Sequence, residues 1–236
     1  MLLICPAARE GGGCFVPKRR RDSGGGAGGV PNPERSRAEA ARRARGQLRR
    51  YCVANGLNRF GTLTYAPPFC TDPSEVRQHA GEFFRQLRSE LGGAPMPYAW
   101  VPEFHADGSR FHLHFAVNRY VRKSLVAQVW GRGIVDMRRI DDVPVGAGRL
   151  GEARVAAGYL SKYLGKSFSD VRIANRHRYD VAQGFQPERI PIWGTSAQDV
   201  VEKSTAYFEG AFPSWLWNSS EAEEWFAPPA IAVRWT

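Results

Sequence analysis

The sequence predicts an α+β fold in which helices flank an antiparallel sheet. Three observations support this prediction: residues 59–65 alternate in the manner of a strand, residues 72–93 have the spacing of an amphipathic helix, and Asp107-Gly108 separates two further strand-like stretches. An Asp-Gly pair between such stretches is a strong signal for a β-hairpin, whose strands are antiparallel.

Each element is predicted by a local pattern. The first strand, "RFGTLTY", is rich in threonine and aromatic residues and ends before Pro67-Pro68. The helix after it begins at Asp72-Pro73 and ends at Gly92-Gly93. The remaining predicted elements are the hairpin strands "MPYAWVPEF" and "RFHLHFAVN", a helix "RKSLVAQVW", a strand "GIVDMRRI" and a helix "GEARVAAGYLSKYLGKSF". The resulting order, β-α-β-β-α-β-α, is typical of ferredoxin-like or RRM-like domains.

The composition divides the 236 residues into four parts. Residues 1–32 are rich in glycine and basic residues, and we expect a disordered arm because such a composition cannot form a packed core. Residues 33–56 are predicted to form a basic helix, and residues 57–170 to form the α+β domain. Residues 171–236 form a C-terminal extension whose role the pattern does not assign. Its tryptophans either cap the core or dock a host protein: Trp193, Trp215, Trp217 and Trp225.

The net charge of +10 is concentrated near the N-terminus. The first 50 residues contain 12 Lys and Arg against 4 Asp and Glu, whereas the rest of the chain contains 21 against 19. Two interpretations fit this asymmetry: a solvated tail with a surface helix, or contact with the phosphate backbone of a nucleic acid. On the second interpretation, the candidate DNA-binding residues of the basic helix are Arg42, Arg43, Arg49 and Arg50.

Other features of the sequence exclude several classes of protein. No apolar run approaches the roughly 18 residues of a membrane span, and the opening "MLLIC" meets Pro6 and Glu10 too soon for a signal peptide. We therefore expect a cytoplasmic protein with no membrane partner. The four cysteines match no zinc pattern and are predicted to be free thiols.

The stretch "FHLHF" at 111–115 places two histidines on one face of a strand. His112 and His114 share that face because side chains two residues apart in a strand point the same way. Counting outward from the turn places Glu103 opposite His112, with their Cβ atoms roughly 5 Å apart. Two imidazoles and a carboxylate with open positions suit Mg²⁺ or Mn²⁺ at a phosphate better than a closed zinc site. His105 is predicted to be peripheral, and a histidine pair without a metal is the alternative interpretation.

The last predicted helix carries "YLSKYLGK", in which tyrosines and lysines share one stripe beside a stripe of Ala and Leu. The stripe contains Tyr159, Lys162, Tyr163 and Lys166. Taken alone, these residues are also explained as boundary tyrosines and solvated lysines. The "GKS" at 165–167 is not a Walker loop, because Leu160 stands where that loop requires glycine.

Three motifs in order, "TLTY", "EFHADGSRFHLH" and "YLSKYLGK", resemble those of the HUH endonucleases. More narrowly, they resemble the rolling-circle replication initiator (Rep) proteins of bacterial plasmids and single-stranded DNA phages. The resemblance covers residues 57–170. It places metal ligands at His112, His114 and Glu103, and it fits the nucleophile motif Y-x-x-K twice, as Tyr159 with Lys162 and as Tyr163 with Lys166.

This resemblance implies a metal-dependent DNA endonuclease and strand transferase with a tyrosine nucleophile. Such an enzyme attacks a phosphodiester of single-stranded origin DNA, leaves a 5′-phosphotyrosine and a free 3′-OH, and rejoins the strand without ATP. Tyr159 is predicted to attack first because it begins the first Y-x-x-K, and Tyr163 to act in the second transfer. The implied cofactor is Mg²⁺ or Mn²⁺, and the implied partners are origin DNA and a host helicase and polymerase.

Three other classes of function fit parts of the sequence. A transposase or plasmid-mobilising relaxase of the same superfamily would apply the same chemistry to different DNA. A non-catalytic RRM-like nucleic-acid-binding protein would bind through aromatic side chains of its sheet, but it would not need Glu103 aligned with His112 and His114. A metal-dependent phosphohydrolase unrelated to DNA would need neither tyrosine.

Overall fold

A computed structural model describes residues 1–15, 33–105, 107–139, 148–170, 178–222, 225 and 228–236. The chain forms two compact units. The larger unit is Asn32–Gln186, and the smaller unit combines Met1–Pro31 with Pro187–Thr236. Within the described parts of the chain, no helix is both long and apolar enough to cross a membrane.

The elements follow one another in a mixed order that includes two short 3-10 helices, Pro6–Ala8 and Ser219–Glu221. The strands and longer helices are β1 (Leu2–Cys5), β2 (Glu10–Cys14), α1 (Pro33–Ala54), β3 (Arg59–Tyr65), α2 (Pro73–Glu90), β4 (Tyr98–Phe104), β5 (Phe111–Val117), α3 (Lys123–Trp130), β6 (Gly133–Arg139), α4 (Gly148–Ser169), β7 (Asp180–Val181), β8 (Ile190–Ile192), α5 (Ala197–Tyr207), β9 (Pro213–Asn218) and β10 (Ala230–Trp235).

The larger unit contains a five-stranded antiparallel sheet in the order β6-β3-β5-β4-β7. Without the short edge strand β7, the sheet has the strand order of the ferredoxin-like β-α-β-β-α-β unit, in which the first and third strands are central. The predicted α+β fold, with its antiparallel sheet flanked by helices, is therefore confirmed.

The apolar core lies on the face of this sheet that α2 and α3 cover. Phe83 of α2 lies edge-on to Phe115 of β5 and Trp130 of α3, with ring centroids 5.6 and 6.1 Å apart. Each fully buried side chain of this size contributes roughly 1.5–3 kcal/mol to folding. The helix begins as predicted, because the Asp72 carboxylate accepts a hydrogen bond from the backbone N–H of Ser74 at 2.8 Å.

The opposite face of the sheet is partly covered by α4, which packs on β4 and β5, and α1 in turn packs on α4. The predicted apolar stripe of α4 is buried: Ala153, Ala157, Leu160 and Leu164. The β6 side of this face is open, since Ile134 is 71% exposed. This arrangement carries one edge of α4 over the histidines of β5 and leaves free space beside them.

The smaller unit contains a second antiparallel sheet, in the order β8-β1-β2-β10-β9. The predicted disorder of residues 1–32 is therefore wrong for β1 and β2, while residues 16–32 lie outside the described residues. Leu2 and Ile4 are fully buried. Glycine, which indicated disorder, here permits close approach of backbones, because a Cβ on Gly13 would lie 2.1 Å from the carbonyl oxygen of Met1.

The tryptophans of the C-terminal part have different environments within the smaller unit. Trp217 of β9 lies 5.0 Å from Trp225, measured between ring centroids, and Trp193 is largely exposed. Trp235, which the sequence did not single out, is fully buried in the core of this unit. The four cysteines of the chain are free, as predicted.

Candidate active site

The candidate metal ligands on the hairpin lie on one face of β4 and β5. These strands pair with Glu103 opposite His112, which is the register that the Asp-Gly turn predicted. The Glu103 carboxylate also reaches the diagonal neighbour, since its Oε2 lies 2.7 Å from Nε2 of the buried His114. The structure therefore brings all three predicted residues to one place.

Two threonines of β3 hold the imidazoles from the other side. Thr64 Oγ1 lies 2.8 Å from His112 Nδ1, and Thr62 Oγ1 lies 3.1 Å from His114 Nδ1. Both contacts follow from the register, in which Thr64 is opposite His112 and Thr62 is opposite His114. Neither threonine was identified from the sequence. Their alternation in "TLT" matches "HLH", but this signal has meaning only once β3 is known to lie beside β5.

His112 has an incomplete set of hydrogen bonds. Its Nε2 is buried and has no hydrogen-bond partner in the parts of the chain that the structure describes. Buried N–H groups without a partner are rarer than buried acceptors without one, so we place the proton on Nδ1, donating to Thr64, and the lone pair on Nε2. An imidazole held in this tautomer by a neighbour is a typical metal ligand.

The chemistry of these donors fits Mg²⁺ or Mn²⁺, which His112, His114 and Glu103 would hold. The donors are not arranged as a finished cage: among the described residues, no group of three His, Cys, Asp or Glu side chains is placed to hold a metal ion. The reason is that Glu103 is paired, through one oxygen with His114 and through the other with Lys166 at 2.7 Å. A divalent ion would have to replace these contacts.

The pKa values of the site favour cation binding at neutral pH. Burial raises the pKa of the Glu103 carboxyl, but the hydrogen bonds and charges of His114 and Lys166 outweigh burial and lower that pKa to about 2. Burial lowers the pKa of His112 to about 4, and nearby positive charges, beginning with His105, lower it further. Glu103 is therefore ionised and His112 neutral, the states in which both side chains bind metals.

Helix α4 contributes a tyrosine and a lysine to this cluster. The ring of Tyr163 stacks on the ring of His114, with centroids 3.5 Å apart and planes inclined by 13°. Lys166 Nζ lies 2.7 Å from Glu103 Oε1 and 5.3 Å from the centroid of the Tyr163 ring. The hydrogen bond to Glu103 raises the pKa of Lys166, so the ammonium is charged at neutral pH.

The other Y-x-x-K pair, Tyr159 with Lys162, lies farther from the histidines. Tyr159 is 41% exposed, and its ring lies 6.0 Å from that of Phe60, which separates it from the cluster. Lys162 is exposed. Of the two pairs that the sequence could not distinguish, the structure therefore brings Tyr163 with Lys166 to the candidate metal ligands.

A cleft of about 370 Å³ lies over the two histidines. His105, predicted to be peripheral, lines it with its ring 4.9 Å from that of His112, and its Nδ1 lies 2.8 Å from an oxygen of Asp107. Asp136 of β6 also lines the cleft and accepts a hydrogen bond from Arg138 Nε at 2.9 Å. Asp136 was not identified from the sequence, because nothing local shows that β6 borders β3.

The four candidate DNA-binding arginines all lie on α1, which corresponds to the predicted basic helix. Arg42 and Arg43 are exposed, and Arg49 and Arg50 are half-buried. Residues seven apart on a helix differ by only about 20° in direction, so these arginines form two adjacent stripes. Arg43 also lies 3.8 Å from a carboxylate oxygen of Glu39.

Comparison with known protein families identifies one relationship. Residues 58–168 match a family model of replication-associated proteins, described as "Replication-associated protein ORF2". The matched region spans the sheet from β3 and most of α4, and therefore contains the complete cluster described above. No curated protein and no solved structure gives a match. The match confirms the resemblance at the level of replication-associated proteins and supports a role for this unit in initiating replication.

Proposed function

We propose that this replication-associated protein initiates rolling-circle replication by nicking single-stranded origin DNA with a tyrosine and later rejoining the strand. The observation that carries the proposal is the stacking of Tyr163 on His114, beside the Glu103 and Lys166 ion pair. A nucleophile, a cation and a set of metal ligands thus meet at one cleft, within the region that matches replication-associated proteins.

In the proposed reaction, the tyrosine Oη attacks the phosphorus of a DNA phosphodiester. A bond from Oη to phosphorus forms, the bond from phosphorus to the 3′ oxygen breaks, and the phenolic proton is replaced by one that the departing 3′ oxygen takes up from solvent. The products are a 5′-phosphotyrosine and a free 3′-OH that can prime a polymerase. Attack by a 3′-OH on the phosphotyrosine reverses these changes, so rejoining consumes no ATP.

The residues of the cluster have separable roles. Lys166 supplies a positive charge beside Tyr163, which favours the phenolate and the negatively charged transition state. Thr62 and Thr64 hold the imidazoles in position. A divalent ion bound by Glu103, His112 and His114 would act as a Lewis acid on the scissile phosphate.

The geometry supports Tyr163 for the first attack and Tyr159 for the second transfer, the reverse of the assignment favoured by sequence order alone. Tyr163 contacts His114, whereas Tyr159 is one helical turn away and lies against Phe60. A relay between two tyrosines on one helix would let one hold the first strand end while the other cleaves the regenerated origin.

The test is covalent trapping. The protein would be incubated with Mn²⁺ and single-stranded oligonucleotides that tile its own replicon, and any DNA-linked peptide would be sequenced by mass spectrometry. We expect an adduct on Tyr163. Tyr163→Phe keeps the ring that stacks on His114 and should abolish it, whereas Tyr159→Phe is the matched control and should still form the first adduct.

The metal part of the proposal predicts that His112→Ala or His114→Ala abolishes adduct formation while circular dichroism shows a retained fold. Wild-type protein in EDTA should behave in the same way as these variants. Normal adduct formation in both variants would contradict the assignment of the ligands, and an adduct on neither tyrosine would remove α4 from the mechanism.

A further inference from the structure

A second cavity lies where β3 ends, next to the cleft over the histidines but distinct from it. It has a volume of about 590 Å³, within the range of roughly 300–1,000 Å³ that is usual for ligand pockets. We call it the β3-end cavity. Its walls are residues 65–70 after β3, His79 and Glu75 of α2, and residues 131–133 before β6.

The walls of the β3-end cavity are fixed to the sheet by backbone contacts. The N–H of Ala66 donates to the carbonyl of Arg132 at 2.8 Å, and the N–H of Phe111 donates to the carbonyl of Cys70 at 3.1 Å. A Cβ at Gly133 would lie 2.2 Å from the Thr64 carbonyl oxygen, so the two backbones touch there. The cavity is therefore held in place relative to the histidine strand β5.

Polar side chains inside the cavity are held in defined positions. The Tyr65 hydroxyl lies 3.1 Å from Nδ1 of His79, and the Tyr65 ring packs edge-on to Trp130 at 4.9 Å. Arg132 donates to Glu82 at 2.8 Å. Burial, followed by the charge of Arg132, lowers the pKa of His79. A neutral imidazole both donates and accepts hydrogen bonds, and this suits the edge of a nucleobase better than it suits a phosphate.

The mouth of the cavity carries an aromatic surface. Phe69 is 40% exposed, and the guanidinium of Arg110 lies 4.7 Å from the centroid of its ring. Exposed aromatic rings beside cations are the usual stacking platforms for the bases of single-stranded DNA. An aromatic rim, a polar interior and a fixed frame are together the features of a base-binding pocket.

We infer that the β3-end cavity binds one nucleobase of the single-stranded DNA substrate, close to the phosphate that is cleaved. This inference rests on the proposed function. Thr64, which contacts His112, immediately precedes the first residue of the cavity wall. One strand spacing and one or two residues of strand rise amount to on the order of 10 Å, which a DNA strand spans in roughly one to three nucleotides. A base so placed would determine part of the origin sequence.

The experiment begins with a randomised single-stranded DNA library, selected on wild-type protein in EDTA so that binding is measured without cleavage. In the selected sequence, each nucleotide is then replaced in turn by an abasic one, and the loss of affinity is measured at each position. The same scan is made with Phe69→Ala and with Ala66→Trp, which places a large side chain at the exposed cavity wall. Phe212→Ala is the matched control, because Phe212 is an exposed phenylalanine of the smaller unit.

We expect wild-type protein to lose roughly 5- to 150-fold in affinity when the critical base is removed, as is typical of a stacked base. Both cavity variants should be insensitive to the abasic nucleotide at that one position and unchanged elsewhere, while the control keeps the whole profile. Unchanged profiles in both cavity variants would overturn the inference, as would failure of wild-type protein to select any DNA.

The same oligonucleotides with Mn²⁺ separate this inference from the proposed function. Adducts on wild-type protein together with unchanged abasic profiles in the variants would reject the cavity and keep the cleavage mechanism. A position-specific change in the profiles without any adduct would keep the cavity and reject the cleavage mechanism.

Discussion

Thr64 and His112 form the contact on which the orientation of the candidate metal site most directly depends. The hydroxyl fixes the ring of His112 from one side, and the buried Nε2 on the other side has no partner among the described residues. The hydroxyl has no role in the apolar core, because Thr64 lies on the face of β3 that carries the site. Its effect should therefore appear in metal binding more than in stability.

We predict that Thr64→Val weakens Mn²⁺ binding by roughly 10- to 100-fold, as is typical when a metal-binding histidine loses its hydrogen-bond partner. Valine has nearly the shape of threonine but no hydroxyl. Thr64→Ser keeps the hydroxyl and serves as the control, with affinity near that of wild type. Calorimetric titration of the DNA-free protein would measure this, and equal affinities for the Val and Ser variants would show that the hydroxyl does not orient the ligand.

The neutral state of His112 predicts that stability depends on pH. The pKa of this imidazole is about 4 in the folded protein, against 6.5 as its ordinary value. As the pH falls, the unfolded chain takes up the proton first, so the stability contributed by His112 is complete above about pH 6.5 and is lost toward pH 4. Glu103, with its pKa of about 2, adds a loss only below its ordinary value of 4.5.

Urea denaturation in EDTA at pH 7, 6 and 5 would measure this dependence for wild type and His112→Asn. Wild type should lose more stability over this range than the variant, which has no imidazole at that position. His105→Asn is the control for removal of an exposed histidine. Parallel curves for wild type and His112→Asn would mean that His112 is not held neutral by the fold.

Helix α4 and the β4-β5 hairpin show how far local patterns determine the site. The hairpin register followed from the turn alone, because counting outward from Asp107-Gly108 fixes every pair, and Glu103 does lie opposite His112. The choice between Tyr159 and Tyr163 could not be made in this way. The two residues are one turn apart on the same stripe, and only the packing of α4 across β5 determines which of them contacts His114.

The face of α4 that carries Tyr163 also predicts a competition for Glu103. Lys166 occupies one oxygen of this carboxylate, so a divalent ion must displace the ammonium. We predict that Lys166→Met binds Mn²⁺ several-fold more tightly than wild type but forms less adduct, because the cation beside Tyr163 is removed. Lys162→Met removes an exposed lysine of the same helix and should change neither quantity.

Titration with Mn²⁺ and the adduct assay would be made on the same samples of the two lysine variants. Weaker Mn²⁺ binding in Lys166→Met would show that the lysine supports the site and does not compete for it. Unchanged adduct formation would show that Tyr163 needs no cation from α4.

The division into two units could not be predicted, since it depends on pairing between opposite ends of the chain. Strand β2 pairs with β10, more than two hundred residues away, and the glycines of β2 carry no alternating pattern that would identify a strand. The larger unit could be predicted because its strands and helices follow one another locally. The positive charge near the N-terminus is likewise shared between units, with α1 in the larger one.

Deletion of the first 50 residues would therefore remove β1, β2 and α1 together, and it cannot test DNA binding by the basic helix. Neutralising Arg42, Arg43, Arg49 and Arg50 to Gln on α1 is the cleaner change. If these arginines bind DNA phosphates, the plot of log affinity for single-stranded DNA against log salt concentration should become shallower by roughly 0.7 for each phosphate that is no longer neutralised. The control neutralises Arg77, Arg85, Arg88 and Arg122, which are exposed on α2 and just before α3. Because both sets remove the same charge, an equal flattening by the control would assign the effect to net charge, and a flattening confined to the α1 set would identify α1 as the surface that follows the DNA backbone.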